Sequence, residues 1–138
     1  ATWTMDIRSI AEALRDRFSV QAVAPLHGET PDSERQKIVD TFQDRQSDLR
    51  FIVGHPKTGG YGLTLTAATT VIYYSNSYDL ELRMQSEDRA HRIGQTNKVT
   101  YIDLISPSTV DEKIVRALRD KISIADQILG EETREWLT

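Results

Sequence analysis

The chain has 138 residues, 38% of them hydrophobic, which suits one domain with its own core. Its formal net charge is −4, so no general positive field attracts nucleic acid, and any contact with a phosphate backbone must be local. Cysteine is absent and the three histidines lie far apart, which excludes disulfides and thiolate metal sites and predicts no metal site. No apolar run reaches the roughly 18 residues of a membrane span, so the sequence predicts a soluble, intracellular protein without membrane contact.

Helix and strand patterns alternate along the chain, which predicts parallel βαβ units and one α/β domain. Apolar residues at helical spacing predict a first helix over residues 5–18. Short apolar runs of the buried-strand type predict the strands, which are expected at residues 20–25, 49–54, 71–74 and 99–105.

The later helices have recognisable start signals. Thr30 is predicted to be the N-cap of the second helix, with Pro31 at its first helical position. Asp79 is predicted to cap a helix over residues 80–92, and residues 109–112 have the spacing of a capping box. The inward face of the last helix is expected to consist of Ile114, Val115, Leu118, Ile122 and Ala125. The domain is expected to span residues 1–130, ending at a glycine, with residues 131–138 as a C-terminal tail.

The most informative segment is QSEDRAHRIGQ, residues 85–95. In a helix Gln85, Arg89 and Arg92 fall at i, i+4 and i+7, and therefore lie on one stripe. Two arginines and an amide on one face suit an anionic ligand, because a guanidinium group can pair with two phosphate oxygens at once. The alternative is a solvated helix face whose charges form ordinary i,i+4 pairs.

A glycine-rich loop follows the second predicted strand. Gly59, Gly60 and Gly62 let the backbone approach a ligand closely, and N–H groups turned outward can hold an anion. Ligands of open parallel sheets bind at the carboxyl ends of the strands, where this loop must lie. The alternative is a turn that needs only positive φ. The loop is not a Walker A loop, and no strand-borne acidic pair for Mg²⁺ accompanies it, so these residues do not make a complete nucleotide triphosphatase site.

A second loop, residues 26–30, follows the first predicted strand and leads into a helix N-terminus, whose free N–H groups and dipole favour a phosphate. Taken alone, this segment is more often an ordinary capped βα loop. Tyr73, Tyr74 and Tyr78 offer a possible stacking surface, although tyrosines beside a strand more often pack in the sheet.

Taken together and in order, these segments resemble the second RecA-like lobe of Swi/Snf-type helicase-like DNA translocases, in helicase superfamily two. The resemblance lies in three strings, LHGETPDSERQKIVDTF, KTGGYGLTLTAATTVIYY and QSEDRAHRIGQ, and it covers residues 5–125. It implies a three-layer α/β fold, with a mainly parallel sheet and helices on both faces. The family's lobe opens with a buried strand of which only residues 1–4 would remain, so we expect a truncated first strand and a chain that is a piece of a longer protein.

The chain departs from the family pattern in the second string. The family usually has Ser-Thr where this chain has His55-Pro56, Arg-Ala where it has Lys57-Thr58, and Asn where it has Thr64. Lys57 keeps a cation for contact with a phosphate backbone. The finer hydrogen-bond roles of this motif are not implied for this chain.

The resemblance implies an ATPase whose nucleotide is sandwiched between two lobes. ATP is expected with Mg²⁺, whose ligands would lie on the first lobe of the same full-length protein, absent here. Arg92 is expected to act as an arginine finger with Arg89 as its partner, and the nucleotide-binding residues are expected to be Gln85, Gly60, Gly62, Arg89 and Arg92. The isolated lobe is expected to hydrolyse no ATP.

The resemblance also implies contacts with the DNA phosphate backbone, independent of sequence and sensitive to salt. The residues expected to make them are His27, Gly28, Thr30, Lys57, Thr58 and Gly59. Two alternatives remain open, an RNA-directed helicase lobe of the same superfamily and a non-catalytic α/β interaction module. The HRIGQ ending favours the DNA branch. The expected location is intracellular, the cytoplasm in a bacterium or phage and the nucleus in a eukaryote.

Overall fold

The computed structural model describes residues 1–58 and 63–129, with side chains described as far as residue 124. The elements in chain order are α1 (Thr4–Arg17), β1 (Val23–Leu26), α2 (Asp32–Gln43), β2 (Phe51–Gly54), β3 (Thr70–Tyr73), α3 (Leu80–Glu87), β4 (Thr100–Asp103) and α4 (Val110–Leu129). The predicted α/β class is confirmed. None of the helices within these residues combines the length and apolarity needed to cross a membrane.

The strands form two parallel pairs. β1 pairs with β2 in a register that matches Val23 with Phe51, and β3 pairs with β4 in a register that matches Thr70 with Thr100. The buried character predicted for β3 is wrong for Ile72, which is 57% exposed and lies on the same face of the strand as the exposed Thr70. In each pair the carboxyl ends of the two strands lie at the same edge, where ligands of parallel sheets bind.

The first two residues of the chain connect the two pairs. The amino group of Ala1 donates to the carbonyl of Gly54 at the end of β2, at 3.1 Å. The backbone N–H of Thr2 donates to the hydroxyl of Ser75, just after β3, at 2.9 Å. Residues 1 and 2 are not part of a strand. Because they contact the carboxyl ends of both β2 and β3, these ends lie close together.

The buried apolar residues form separate clusters around the two pairs. Helix α1 places Ile7 and Ala11, one turn apart, against the first pair. A fully buried isoleucine side chain contributes about 1.5–3 kcal/mol to folding. The first cluster consists of Ile7, Ala11, Ala22, Val23 and Val53, and the second of Tyr73, Ala90, Val99 and Tyr101. Helix α4 buries Val115, Leu118 and Ile122, as its predicted inward face requires.

The second helix begins later than predicted. Its N-cap is Pro31, which makes no side-chain cap, and the first helical residue is Asp32. The hydroxyl of Thr30 instead accepts a hydrogen bond from the backbone N–H of His27 at 3.2 Å. Thr30 is buried at 7% exposure, so its side chain closes the preceding loop from inside and does not cap the helix.

The third helix begins as predicted but ends early. The carboxylate of Asp79 caps it, accepting from the backbone N–H three residues on at 2.9 Å. The helix ends at Glu87, after which the N–H of Ala90 turns back to the Glu87 carbonyl at 3.1 Å, a tighter i,i+3 turn. Arg89 and Arg92 therefore lie beyond the helix. The prediction of one helical stripe through residues 80–92 is wrong.

The fourth helix begins near its predicted start, with hydrogen-bond partners shifted from those of a capping box. The hydroxyl of Thr109 accepts from the N–H of Asp111 at 3.2 Å, two residues on. The carboxylate of Glu112 reaches back to the N–H of Ser108 at 3.0 Å, one residue before the expected partner. The predicted inward side chain of Ala125 and the stop at Gly130 fall outside the described residues.

Replacement of Gly54 by alanine should destabilise the fold. A Cβ at this position would lie 2.9 Å from the carbonyl oxygen of Leu26 in the paired strand, so the backbone must shift. We expect a loss of about 1–3 kcal/mol in the free energy of unfolding, measured by chemical denaturation. The matched control is Gly28→Ala, whose Cβ would meet nothing within 4 Å. Equal losses in the two variants would contradict this explanation.

Candidate nucleotide and nucleic-acid site

The two loops singled out in the sequence lie side by side. The N–H of His55, directly after β2, donates to the carbonyl of Leu26 at the end of β1, at 3.4 Å. The loop after β1 and the loop after β2 therefore begin at the same edge of the first strand pair. This edge is where a parallel sheet presents backbone groups to a ligand.

The loop after β1 is closed by its own hydrogen bonds. The N–H of Thr30 donates to the carbonyl of His27 at 3.0 Å, in addition to the bond from His27 to the Thr30 hydroxyl. The guanidinium of Arg35 on α2 donates to the carbonyl of Gly28 at 2.9 Å. Gly28 is exposed and Thr30 is buried. The surface of this loop is therefore formed by His27, Gly28 and the exposed carboxylate of Glu29, which lies 3.9 Å from Arg8. A phosphate contact by Thr30 stays a prediction, and the engaged, buried hydroxyl of Thr30 does not favour it.

The loop after β2 contains an exposed lysine followed by a buried threonine. The N–H of Thr58 donates to the carbonyl of His55 at 2.9 Å, and Thr58 is only 6% exposed. The N–H of Lys57 donates to Nδ1 of His55 at 2.9 Å, while the Lys57 side chain is exposed. Nδ1 of His55 is thus an acceptor, and in the neutral ring the proton lies on Nε2. Gly59, Gly60 and Gly62, the remaining predicted members of this loop, lie outside the described residues.

Positive charge is concentrated around His55. Burial is the main factor that lowers the pKa of His55, and the positive charges of Lys57 and Arg89 lower it further. Lys57 and Arg89, two cations close enough to affect this pKa, create a local positive potential beside His55. A protein of net charge −4 can therefore still offer a phosphate-binding surface at this edge.

Arg89 is a half-buried cation beside the second strand pair. Burial lowers its pKa, and the nearby Tyr73 opposes that shift. An arginine in a protein nevertheless stays charged at neutral pH. Within residues 1–58 and 63–129 its guanidinium group makes neither an ion pair nor a hydrogen bond. A partly desolvated cation of this kind is suited to pairing with an external anion.

The segment that bears Arg89 is joined to the residues that follow the glycine loop. The N–H of Leu65 donates to the carbonyl of Arg89 at 2.8 Å. Arg92 is exposed, and its Nη1 donates to the hydroxyl of Thr64 at 3.3 Å. Gln85 is half-buried, and its amide donates to Glu81 on its own helix at 3.1 Å. The structure thus connects the segment of the two arginines to Thr64 and Leu65, while the hydrogen bond described for the Gln85 side chain is to Glu81.

The segment that carries both arginines, residues 88–95, is called the arginine segment below. Gln95, its last residue, connects it to the residues after the glycine loop, which the sequence did not predict. Its amide nitrogen donates to the carbonyls of Thr66, Ala68 and Ala90, at 2.9, 3.0 and 3.0 Å. The first two lie after the glycine loop and the third lies next to Arg89. The available signal was its position as the closing amide of the motif, although nothing in the spacing revealed which carbonyls it would reach.

The tyrosines and acidic residues add little to this edge. Tyr73 is 5% exposed and packs in the second cluster, while Tyr74 and Tyr78 are half-exposed. In the described residues there is no group of three or more histidine, aspartate or glutamate side chains placed to hold a metal ion. The chemistry that this site offers is therefore cationic and hydrogen-bonding.

A parallel α/β domain with paired arginines beside a loop at the strand ends is typical of a RecA-like nucleotide-handling lobe. Residues 2–94 match the family model of the helicase conserved C-terminal domain, which is more than half of the chain, and the chain belongs to this family. The resemblance to the second lobe of Swi/Snf-type proteins is confirmed.

Named relatives agree with this placement. Chromatin-remodeling ATPase INO80 of Mycosarcoma maydis is 39% identical over 105 residues, which are 76% of this chain and 5% of that protein. Protein CHROMATIN REMODELING 19 of Arabidopsis thaliana is 35% identical over 127 residues, which are 92% of this chain and 15% of that protein. The crystal structure of the C-terminal part of the Fun30 ATPase domain superposes with a TM-score of 0.72 at 29% identity, over 85% of this chain and 37% of that one. The chain thus spans a small part of its curated relatives.

Replacement of Gln95 by glutamate should separate the arginine segment from the loop. The variant side chain has the same shape but no donor, and it would turn carboxylate oxygens toward three carbonyl oxygens. We expect a loss of about 1–3 kcal/mol in the free energy of unfolding, measured by denaturant titration. The control is Gln46→Glu, since the Gln46 side chain is exposed. If both variants unfold at the same denaturant concentration, the Gln95 amide does not contribute as proposed.

Proposed function

We propose that this chain is the second lobe of an ATP-dependent DNA translocase, and that it supplies Arg92 and Arg89 to ATP bound against a first lobe. The observation that supports this proposal most directly is the half-buried Arg89, whose guanidinium group has no hydrogen bond or ion pair with another described residue, beside the exposed Arg92. The proposed reaction is the hydrolysis of ATP. It is supported by membership of the helicase C-terminal family and by similarity to ATPases of the Swi/Snf type.

The arginines would act on the charge that develops during phosphoryl transfer. The Arg92 side chain is exposed, and its 3.3 Å bond to Thr64 is long for a hydrogen bond, so a phosphate oxygen could replace the Thr64 hydroxyl as acceptor. Arg89 would contact the nucleotide as a cation held in a fixed position. Because both lie on this lobe and the rest of the catalytic site lies on another, hydrolysis would require the lobes to close, and the lobe alone would be inactive.

The nucleotide would bring Mg²⁺, and the first lobe would hold it. The described residues of this chain would contribute cations to the phosphates and no ligand to the metal. Gly60 and Gly62 remain proposed nucleotide contacts, and Gln85 is proposed only as a helper, because its amide is engaged with Glu81.

The DNA phosphate backbone would contact the loops at the carboxyl ends of β1 and β2. His27, Gly28 and Lys57 are exposed or half-exposed there, close to His55, whose pKa is lowered by burial and by the charges of Lys57 and Arg89. Gly59 and the backbone of the two buried threonines complete the proposed contact. These are contacts to phosphate, so binding would be independent of base sequence.

The proposed location is intracellular. The relatives named above come from eukaryotes, so they support a location in the nucleus. They give no support to the cytoplasm of a bacterium or phage-infected cell. The proposed partners are the DNA backbone and a first RecA-like lobe in the same protein.

Arg92→Ala in the intact protein should reduce DNA-stimulated ATP turnover by roughly 10³–10⁵-fold, because the transferred phosphoryl group loses its neutralising cation. DNA affinity should change little. The measurement is steady-state phosphate release with saturating duplex DNA. The control is Arg116→Ala, an exposed arginine on α4 that should leave turnover unchanged.

Unchanged turnover in Arg92→Ala would refute the finger assignment. Stimulation by RNA equal to that by duplex DNA would favour the RNA-directed alternative. ATP hydrolysis by this chain alone would refute the proposal that the lobe supplies only half of the catalytic site. An intact protein with no ATPase activity would favour the non-catalytic interaction module.

Lys57→Ala should weaken DNA binding equally for different sequences and reduce the salt dependence. One lost phosphate contact lowers the slope of log affinity against log salt concentration by about one. The measurement is a fluorescence titration of duplex DNA at several salt concentrations. Lys113→Ala, on the exposed part of α4, is the control. An unchanged slope for Lys57→Ala would place the phosphate contact elsewhere.

A further inference from the structure

The described residues contain a buried charged cluster that the proposed function does not use. Arg83 on α3 is 4% exposed, and its side chain pairs with two carboxylates that are almost completely buried. Its Nε donates to Glu87 on the same helix at 2.7 Å. Its two terminal nitrogens donate to Asp103 at the end of β4, at 2.6 and 3.1 Å. The guanidinium plane is thus held by both a helix and a strand.

The cluster also includes the segment after β3. Nη1 of Arg83 donates to the side-chain oxygen of Asn76 at 2.7 Å, and the amide of Asn76 donates to Asp103 at 2.7 Å. The guanidinium lies 3.5 Å from the ring centroid of Tyr73, the last residue of β3. Helix α3 is therefore fixed to the carboxyl ends of both strands of the second pair through one side chain.

Hydrogen bonds hold the cation in its charged form. Burial lowers the pKa of Arg83, but the bonds to Asp103 and Glu87 and the nearby Tyr73 outweigh it, and the pKa is raised. Because one cation faces two carboxylates, a lysine at this position would provide the same charge. The bonds to three different side chains, however, need the planar fork of arginine.

The cluster ends where the arginine segment begins. Glu87 is the last residue of α3 and is 0% exposed, and it lies two residues before Arg89. Its carbonyl accepts from the N–H of Ala90 at 3.1 Å and from the hydroxyl of Tyr101 on β4 at 3.2 Å. The position at which Arg89 leaves the helix is therefore set by a residue that the cluster holds on both its side chain and its backbone.

We infer that Arg83 is a positioning residue, which fixes the exit of α3 and so places the Arg89 guanidinium for catalysis. It touches neither the nucleotide nor DNA in this scheme, and it acts through Glu87. This inference rests on the proposed function for its catalytic consequence, while its structural part stands on the cluster alone. Misplacement of a catalytic group by about 1 Å can cost roughly 100-fold in rate.

The test is Arg83→Lys in the intact protein, which keeps the charge and removes the fork. We expect kcat for DNA-stimulated ATP hydrolysis to fall by roughly 10–100-fold with KM for ATP nearly unchanged. The matched control is Arg116→Lys, the same substitution at an exposed helical position. A second and milder variant, Asn76→Ala, removes one partner of Arg83 and leaves both ion pairs, so it should fold and show a smaller fall in kcat.

Hydrogen exchange, followed by mass spectrometry in the same proteins, distinguishes positioning from general stability. In Arg83→Lys, peptides over residues 63–68 and 88–95 should exchange faster, while those over β1 and β2 should not change. Faster exchange in all peptides would overturn the inference, because it would show only a loss of global stability. An unchanged kcat, or a raised KM with kcat unchanged, would also overturn it. If the wild-type protein hydrolyses no ATP, the proposed function fails, and the exchange pattern alone then decides whether Arg83 positions the segment.

Discussion

The early end of α3 at Glu87 is the constraint on which the site depends. A helix continued to residue 92 would place Arg89 and Arg92 on a stripe with Gln85. The buried carboxylate of Glu87 is instead held by Arg83, and the chain turns directly after it. The arginines thereby leave the helix and reach the residues after the glycine loop. Breaking a buried ion pair by removing one partner costs about 3–5 kcal/mol, so this geometry is strongly fixed.

The two strand pairs of the domain carry different groups at their carboxyl ends. The first pair, β1 and β2, ends in the two loops where exposed backbone and Lys57 face solvent. The second pair, β3 and β4, ends in the buried cluster that anchors the arginine segment. Residues 1 and 2 contact the ends of both pairs, so the loops after β1 and β2 lie close to the end of β3. A local group of cations on a protein of net charge −4 would suit the proposed contact with phosphate at this edge alone.

The family and the fold class were predictable because the residues of each motif occur close together in sequence. The resemblance placed Arg89, Arg92 and Lys57 in a phosphate-handling lobe, and family membership is confirmed. The contributions of Gln95 and Arg83 were not predictable. Gln95 reaches carbonyls 27 and 29 residues earlier in the chain, and Arg83 reaches an aspartate 20 residues later. A single sequence does not specify which distant groups a polar side chain will meet.

By itself the sequence determined the α/β class, the order of helices and strands, the cap at Asp79 and the identity of the arginine segment. These features follow from local periodicity, capping chemistry and motif spacing, which involve neighbouring residues. Tertiary structure decided where α3 ends, that Thr30 closes a loop instead of capping α2, and that Ile72 stays exposed. Each of these depends on packing and hydrogen bonds between separate segments, because a buried polar group takes its partner wherever the fold provides one.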